Sequence, residues 1–357
     1  MKKFDWYIIK MFIGTFLFAI MIMAVISCVI DISEKMNDFV EKRVPLMQIL
    51  IYFRNFIPHI IALLFPLFIF IATIFFTSKI AYKSEIIAIL ASGVSFQRFL
   101  RPYMIGGLLL CTISLVANHY VVPVANKQRL AFEDRYIHFI PESSDQNIHL
   151  RLTKNLYIFL QNYNYKQNSG SRFTAETIEG TLLKEKIFAD RISYDSVKKI
   201  WTLYNVTVRK NDGLKEELIS LNELKQKYPF TPKDLDEDEG VKEALTSPQL
   251  TKYIAREKLR GRETLNFFYI EKYRRTAQPV AGMIMVVMGA CIASRKIRGG
   301  SGLHLALGIV LSAIYIMIMQ FATTFSTNAG ISPLLAVWIP NIVFAIVAFF
   351  LLRRQIR

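Results

Sequence analysis

Side chains that commonly do chemistry are sparse in this sequence, and they are not grouped. The three cysteines, Cys28, Cys111 and Cys291, each lie inside a long apolar run, where a thiol usually serves as a small packing residue. The polar middle of the chain contains His138 and His149 but no cysteine, no Gly-x-Ser-x-Gly and no metal-ligand spacing. No Gly-x-x-x-x-Gly-Lys-Ser/Thr loop is present. We therefore expect no enzyme, no cofactor and no metal, and a process that needs ATP would require a partner to hydrolyse it.

One short segment has a spacing that could bind another molecule. Between Lys79 and Gly93 the sequence predicts an amphipathic helix, with Ser84 able to cap it and Glu85 in its first turn, where the helix dipole favours an acid. Gly93 is a natural stop for that helix. Its apolar stripe consists of Ile86, Ile87, Leu90 and Ala91. Such a helix either lies on a lipid surface or docks in a groove on a soluble partner, and the spacing alone leaves both open.

The elements around this segment are long uncharged runs in a chain of 357 residues that is 53% hydrophobic. About 20 apolar residues are needed to cross a bilayer. Runs without Asp, Glu, Lys or Arg cover Met11–Ile30, Asn55–Ser78, Pro102–Asn126, Thr276–Ser294 and Gly299–Leu352. The last run is long enough for two spans, divided by a polar turn between Ser326 and Pro333. The sequence therefore predicts six transmembrane helices.

Lysines and arginines cluster on one side of these spans. They precede the first span, follow the sixth, and fill the short loops between spans two and three and between spans four and five. The positive-inside rule then predicts that both termini are cytoplasmic and that the long insert is periplasmic. The net charge of +16 fits this membrane pattern, and no motif indicates nucleic acid. We expect a multi-pass protein of the cell inner membrane.

The polar insert predicts an all-β module, a sandwich or an open roll. Its predicted strands are rich in β-branched and aromatic residues and cover Leu150–Leu160, Ile187–Tyr194 and Ile200–Arg209. A hairpin turn is predicted at 195–199, between the last two strands. Ser247 is predicted as the N-cap of a helix that runs to Arg260, with Pro248 at its first position. We expect spans one to three and the short helix at about 83–93 within residues 1–124, the β domain at 125–270, and spans four to six at 271–357.

Several segments resemble one known family. Ser84-Glu-Ile-Ile-Ala-Ile-Leu-Ala-Ser-Gly93 is similar to the coupling helix of the LptF/LptG permeases, the membrane subunits of the lipopolysaccharide-export ABC transporter. Further segments resemble the family in the same order, and the last two favour its LptG branch: Lys198–Val208, Leu245–Ile254, Tyr269–Ala281, Arg298–Gly302 and Trp338–Asn341.

The resemblance implies a polytopic α-helical membrane protein with an inserted periplasmic β-jellyroll. It implies pairing with a paralogous permease and a cytoplasmic ATPase dimer of the LptB type. Lipopolysaccharide would enter laterally between the first and fifth helices and pass by the jellyrolls to periplasmic proteins of the LptC and LptA type. The ATPase-coupling residues implied by the match are Ser84, Glu85, Ile86, Ile87, Leu90 and Gly93.

Lipid headgroup contacts are also expected by this resemblance. Family members carry basic residues at the periplasmic end of helix one, whereas this chain has Asp31 at the matching place and Lys35 one turn later. A multi-acyl anionic lipid needs cations at the membrane edge, each contributing about 1 kcal/mol near an anionic surface. The candidate contacts are Lys35, Lys42, Arg43, Arg54, Arg274 and Arg275.

Two other functions remain compatible with the residues. The first is a membrane-anchored envelope scaffold whose β domain binds a periplasmic partner, which would tolerate loss of Glu85. The second is an ion-coupled carrier, which would need a titratable group near the midplane of a span. Few ionisable groups fall inside the predicted spans, so the sequence disfavours the carrier.

Overall fold

The structure is a computed structural model of the chain. It describes residues 3–137, 147–165, 167–196, 198–212, 215–232, 235, 240–260, 265–295 and 302–356, so most of the family-like segment Arg298–Gly302 lies outside the described residues. The chain divides into two compact units. The helical unit is formed by residues 1–137, 241–250 and 266–357, and the β unit by residues 138–240 and 251–265. The β unit is thus an insertion in the helical one.

Six helices in the described part of the chain are long and apolar enough to cross a membrane, which confirms the predicted number. They extend beyond the uncharged runs because charged residues at their ends remain helical. In chain order the helices are α1 (Lys3–Glu41), α2 (Leu46–Tyr82), a short α3 (Glu85–Ala91), α4 (Phe96–Val116), α5 (Val122–Tyr136), α6 (Val241–Ala244), α7 (Ser247–Arg260), α8 (Leu265–Ala293), α9 (Gly302–Asn328) and α10 (Pro333–Ile356). A π-helical turn, Ala117–Val121, joins α4 to α5, so these two form one span.

Helices α2 and α8 form the centre of the helical unit. In their most apolar stretches 56% and 61% of the residues are buried, against 17% for α1 and α9, which expose apolar side chains as lipid-facing helices do. Glycines bring neighbours close to α2, since a Cβ on Gly282 of α8 would lie 2.6 Å from Phe65. A Cβ on Gly308 of α9 would lie 2.5 Å from Ile74. Small residues at such contacts are common where helices pack inside a bilayer.

The inserted unit contains an antiparallel sheet of six strands, which confirms the predicted all-β insertion. The strands are β1 (Ile148–Arg151), β2 (Leu156–Asn164), β3 (Ser169–Glu179), β4 (Leu182–Asp195), β5 (Ile200–Asp212) and β6 (Lys215–Gln226). They pair in sequence order. Among the described strands the sheet is therefore an open meander, without the Greek-key crossover of a closed jellyroll.

One predicted strand needs correction, and two strands of the sheet were not predicted. The segment Leu150–Leu160 is not one strand, because a turn at 152–155 separates β1 from β2. Thr153 closes that turn, since its hydroxyl accepts a hydrogen bond from the Leu156 N–H at 3.1 Å. Strands β3 and β6 were not predicted, because their many polar residues hide the alternation. The hairpin between β4 and β5 is confirmed, with the Lys199 N–H donating to the Asp195 carbonyl at 2.8 Å.

The start of α7 differs from the prediction by one residue. Ser247 is the first helical residue, so the N-cap is Thr246 and Pro248 is second. The Thr246 N–H donates to Oε1 of Gln249 at 3.0 Å, and the Leu250 N–H donates to the Thr246 carbonyl at 2.7 Å. This is one half of a capping box, in which a residue in the first turn satisfies the N-cap amide.

Trp201 is the largest fully buried side chain of the β unit. Its ring stacks on Phe230 with centroids 4.6 Å apart, and its indole N–H donates to the Phe230 carbonyl at 3.0 Å. Tyr228 and Leu235 are buried in the same cluster. The segment after β6 therefore covers one face of the sheet and completes its core.

Replacing Trp201 with alanine should destabilise the β unit by about 4 kcal/mol, because the change removes a large buried ring and leaves a cavity. Cleavage of the insertion by protease at increasing urea would measure this loss on the full chain. Leu218→Ala is the matched control, since that side chain is 65% exposed and should change stability by less than about 0.5 kcal/mol. Equal protease resistance of the two variants would contradict the assignment of Trp201 to the core.

Candidate functional site

Helix α3 lies within the predicted segment 83–93 but is shorter, Glu85–Ala91, and it lacks the predicted cap. Gly93 ends it with a φ of +84°, a left-handed conformation that glycine adopts without strain, and its N–H donates to the Leu90 carbonyl at 3.1 Å. Ser84 precedes the helix with a φ of +62°, and its side chain does not cap α3. The side-chain cap predicted for Ser84 is therefore wrong. Its carbonyl instead accepts the first helical hydrogen bond, from the Ala88 N–H at 3.0 Å.

The apolar stripe of α3 is divided between two faces. Ile86 is buried in the core cluster of the helical unit at 1% exposure. Ile87 and Leu90 are 51% and 37% exposed, and Glu85 beside them is half-buried. Burial of Ile86 anchors α3, while Ile87 and Leu90 leave an apolar surface with an acid at one end.

The linker that follows α3 is joined to the start of α1. Ser95 caps α4, since its hydroxyl accepts a hydrogen bond from the Arg98 N–H at 3.3 Å. The Arg98 guanidinium donates to both carboxylate oxygens of Asp5, each at 2.8 Å. Asp5 is 4% exposed. The sequence alone does not predict this pair, because 93 residues separate its members.

A second group of polar side chains lies where α1, α2 and α5 meet. Lys35 Nζ lies 2.8 Å from Oδ1 of Asp31 and 3.0 Å from Oε1 of Glu133, and it also donates to the Tyr52 hydroxyl. The Tyr52 hydroxyl donates in turn to Glu133 at 3.0 Å. Asp31, Tyr52 and Glu133 are all buried. The positive charge of Lys35 is therefore already balanced by two acids within the chain.

Arg129 continues this group toward α6. Its guanidinium lies 2.9 Å from Oε2 of Glu133 and 3.2 Å from Oε2 of Glu243. The sequence alone does not single out Arg129, Glu133 or Tyr52, because most of their partners are distant in the chain. The one available signal was the four-residue spacing of Arg129 and Glu133, which puts them on one helix face.

Arg274 and Arg275 form an ionic cluster with Glu271 in α8. Arg275 is 3% exposed and donates to Oε1 of Glu271 at 2.9 Å. It also donates to the carbonyls of Leu245 at 2.8 Å and Lys242 at 3.0 Å. Arg274 donates to the other carboxylate oxygen of Glu271. Arg275 thus attaches the segment that contains α6 to helix α8. Its N–H groups already donate to acceptors within the protein.

The other predicted headgroup cations lie at exposed positions. Lys42 is 3.7 Å from Asp38, and Arg54 donates to Gln128 at 3.4 Å. Arg43 is exposed in the turn that follows α1, with a φ of +48°. The six candidates therefore do not converge on one site. Lys35 and Arg275 are held in buried ion pairs, while Lys42, Arg43 and Arg54 face outward.

Between the two ionic clusters of the helical unit is a cavity of about 30 Å³. A volume of this size holds about one or two water molecules and is far too small for an acyl chain. Its polar lining is provided by His59, Asn118, Asn126, Glu243, Glu271, Arg274, Arg275 and Gln278.

Comparison with known proteins assigns the whole architecture. The family model described as "Lipopolysaccharide export system permease LptF/LptG" matches residues 6–354, which include all six long helices and the sheet. The chain belongs to this permease family. A curated relative, the lipopolysaccharide export system permease protein LptG of Haemophilus influenzae (strain ATCC 51907 / DSM 11121 / KW20 / Rd), is 20% identical over 356 residues, and the match covers 98% of each chain.

Membership in the LptF/LptG family confirms the resemblance found in the sequence. The permease is a multi-pass inner-membrane protein and a transport subunit of the lipopolysaccharide export system. It is not an enzyme, since ATP hydrolysis in that system belongs to a separate partner. The relative carries the LptG name, the branch that the sequence favoured.

Replacing Glu133 with glutamine should destabilise the permease by about 3 kcal/mol, because Lys35 and Arg129 would both lose a buried counter-charge. Chemical unfolding in detergent would measure the change. Asp38→Asn is the control on α1, since its pair with Lys42 is long and half-exposed and contributes less than about 1 kcal/mol. Similar losses of unfolding free energy in both variants would show that the buried cluster stabilises the permease no more than an exposed ion pair does.

Proposed function

We propose that this permease extracts lipopolysaccharide from the inner membrane and passes it to a periplasmic bridge toward the outer membrane. The proposal takes its substrate from the family and its mechanics from the chain's own surfaces. Both termini and α3 are then cytoplasmic, and the β unit is periplasmic. A paralogous LptF/LptG permease completes the membrane part, as the family resemblance implies.

The observation that carries the proposal is the exposed face of α3. Ile86 anchors this short helix in the protein, while Ile87 and Leu90 are exposed on its outer side. A helix with such an apolar face can dock in a groove on another protein. Glu85 at its first turn supplies one charge that a cation in the groove would meet. The partner is an ATPase dimer of the LptB type, whose nucleotide-driven movement is transmitted through α3.

The periplasmic contacts would be made by the sheet. Strand β6 has 12 residues and is the last in the strand order, so one of its edges pairs with no other described strand. An open edge of this length can accept a strand from another protein. LptC- and LptA-type proteins of the bridge are the proposed partners there.

Headgroup binding would use the exposed cations first. Lys42, Arg43 and Arg54 are accessible to lipid phosphates, and Arg274 is partly exposed. Lys35 can take part only by exchanging Asp31 or Glu133 for a phosphate, because both acids already contact its ammonium group. Arg275 is excluded from this role by its burial and its protein acceptors.

Glu85→Lys should abolish recovery of the ATPase with the tagged permease from detergent-solubilised membranes. Reversing a charge that meets a cation in a buried contact costs at least about 3 kcal/mol, which is about a hundredfold in affinity. Co-purification followed by mass spectrometry would quantify the ATPase and a second permease. Gln97→Lys is the control, since it introduces a lysine at an exposed position in the first turn of α4, outside α3.

The same experiment distinguishes the scaffold from the transporter. Loss of the ATPase in Glu85→Lys, with the second permease retained, supports the export function. Undiminished ATPase recovery would sink the coupling role of α3. Recovery of periplasmic proteins alone, equal in both variants, would favour an envelope scaffold.

A further inference from the structure

The segment that would receive force from the ATPase is connected to α4 by a short link. Helix α3 ends at Ala91 and α4 begins at Phe96, so residues 92–95 alone connect them. The Ser95 cap fixes the first turn of α4. Arg98 lies in that turn, so a displacement of α3 is passed to Arg98 through only four connecting residues.

Arg98 is also the point at which this segment contacts the start of α1. Two parallel hydrogen bonds of 2.8 Å join its guanidinium to Asp5 in the first turn of α1. A bidentate pair fixes orientation as well as distance, because both bonds must break before one group slides past the other. Asp5 is 4% exposed, so water competes little for its oxygens.

Close packing continues from this pair along α1 and α4. A Cβ on Gly106 of α4 would lie 2.9 Å from the Phe12 ring, so the two helices touch there through glycine. Phe12 also packs on Phe76 at 5.8 Å and on Tyr103 at 6.4 Å between ring centroids. In the middle of α1, one face exposes apolar side chains, as at Phe18 and Val25, with 65% and 60% exposure, while the opposite face buries Phe16 and Ile20. The first third of α1 is thus fastened to α4, and one face of its middle is open to a neighbour.

We propose that Asp5 and Arg98 are positioning residues that transmit movement of α3 to helix α1 during transport. This inference rests on the proposed function, since it assumes that the ATPase acts on α3. The pair holds α1 to the first turn of α4, so that displacement of α3 turns or tilts a helix that has one open apolar face. Without the pair, α3 still binds the ATPase. Its movement is then taken up by sliding between α1 and α4 and does not reach the rest of α1.

The test uses the complete export complex, reconstituted in proteoliposomes with lipopolysaccharide and a periplasmic acceptor. Two quantities are measured on the same sample: ATP hydrolysed and lipopolysaccharide transferred. Arg98→Lys keeps the positive charge but removes the guanidinium fork, the group that makes both hydrogen bonds to Asp5. Asp5→Asn keeps the shape of the side chain but removes its charge. These two substitutions are the fork variants. Lys10→Gln is the control, since Lys10 is an exposed cation on α1, five residues after Asp5.

We expect both fork variants to retain the ATPase and its basal hydrolysis while lipopolysaccharide transferred per ATP falls about fivefold or more, within the usual range of coupling between two sites. Lys10→Gln should match the unchanged permease. A merely structural role would lower hydrolysis and transfer together and leave their ratio unchanged, which would overturn the inference. Loss of ATPase binding in the fork variants would also overturn it, because the pair would then shape the docking surface.

Failure of this inference is separable from failure of the proposed function. If Glu85→Lys releases the ATPase while the fork variants transport normally, the coupling role of α3 stands and the link to α1 is wrong. If Glu85→Lys transports normally as well, α3 is not the coupling element and the fork has nothing to transmit.

Discussion

Charge balance inside the helical unit is the constraint on which the rest of the structure depends. An ion taken out of water without a partner costs several kcal/mol, so a buried cation must lie against an acid. The two ionic clusters contain equal numbers of acids and bases: Asp31, Glu133, Glu243 and Glu271 against Lys35, Arg129, Arg274 and Arg275. These pairs, together with the Tyr52 hydroxyl of α2, join five helices of the helical unit: α1, α2, α5, α6 and α8.

The parts of the fold that depend on local composition could be predicted from the sequence. Uncharged runs of about 20 residues specify spans, because backbone groups in hydrocarbon must bond within their own segment. Gly93 marked the end of α3, because glycine adopts its left-handed conformation without strain. The turn between the last two spans was equally local. Strand β6 was missed for the opposite reason, since its stability comes from pairing with β5 and not from its own alternation.

The candidate site could be predicted only in part, for a physical reason. The coupling segment is continuous in the chain, so its helix and its acid were visible as spacing. Lys35 was visible as a cation, but its partner Glu133 is 98 residues away. One sequence without an alignment carries no signal for such a pair. Its consequence, a lysine whose charge is already balanced, therefore could not be anticipated from residue type.

The spacing of the ionic pairs bears on how the protein is made. Four pairs join residues four apart on the same helix: Asp31–Lys35, Asp38–Lys42, Arg129–Glu133 and Glu271–Arg275. A helix leaving the translocon meets lipid before its neighbours exist, and an uncompensated ion would oppose its insertion. Here each of these four acids already lies against a base on its own helix. Membrane insertion can therefore follow the order of synthesis, because part of each ionic cluster is paired before the contacts between helices form.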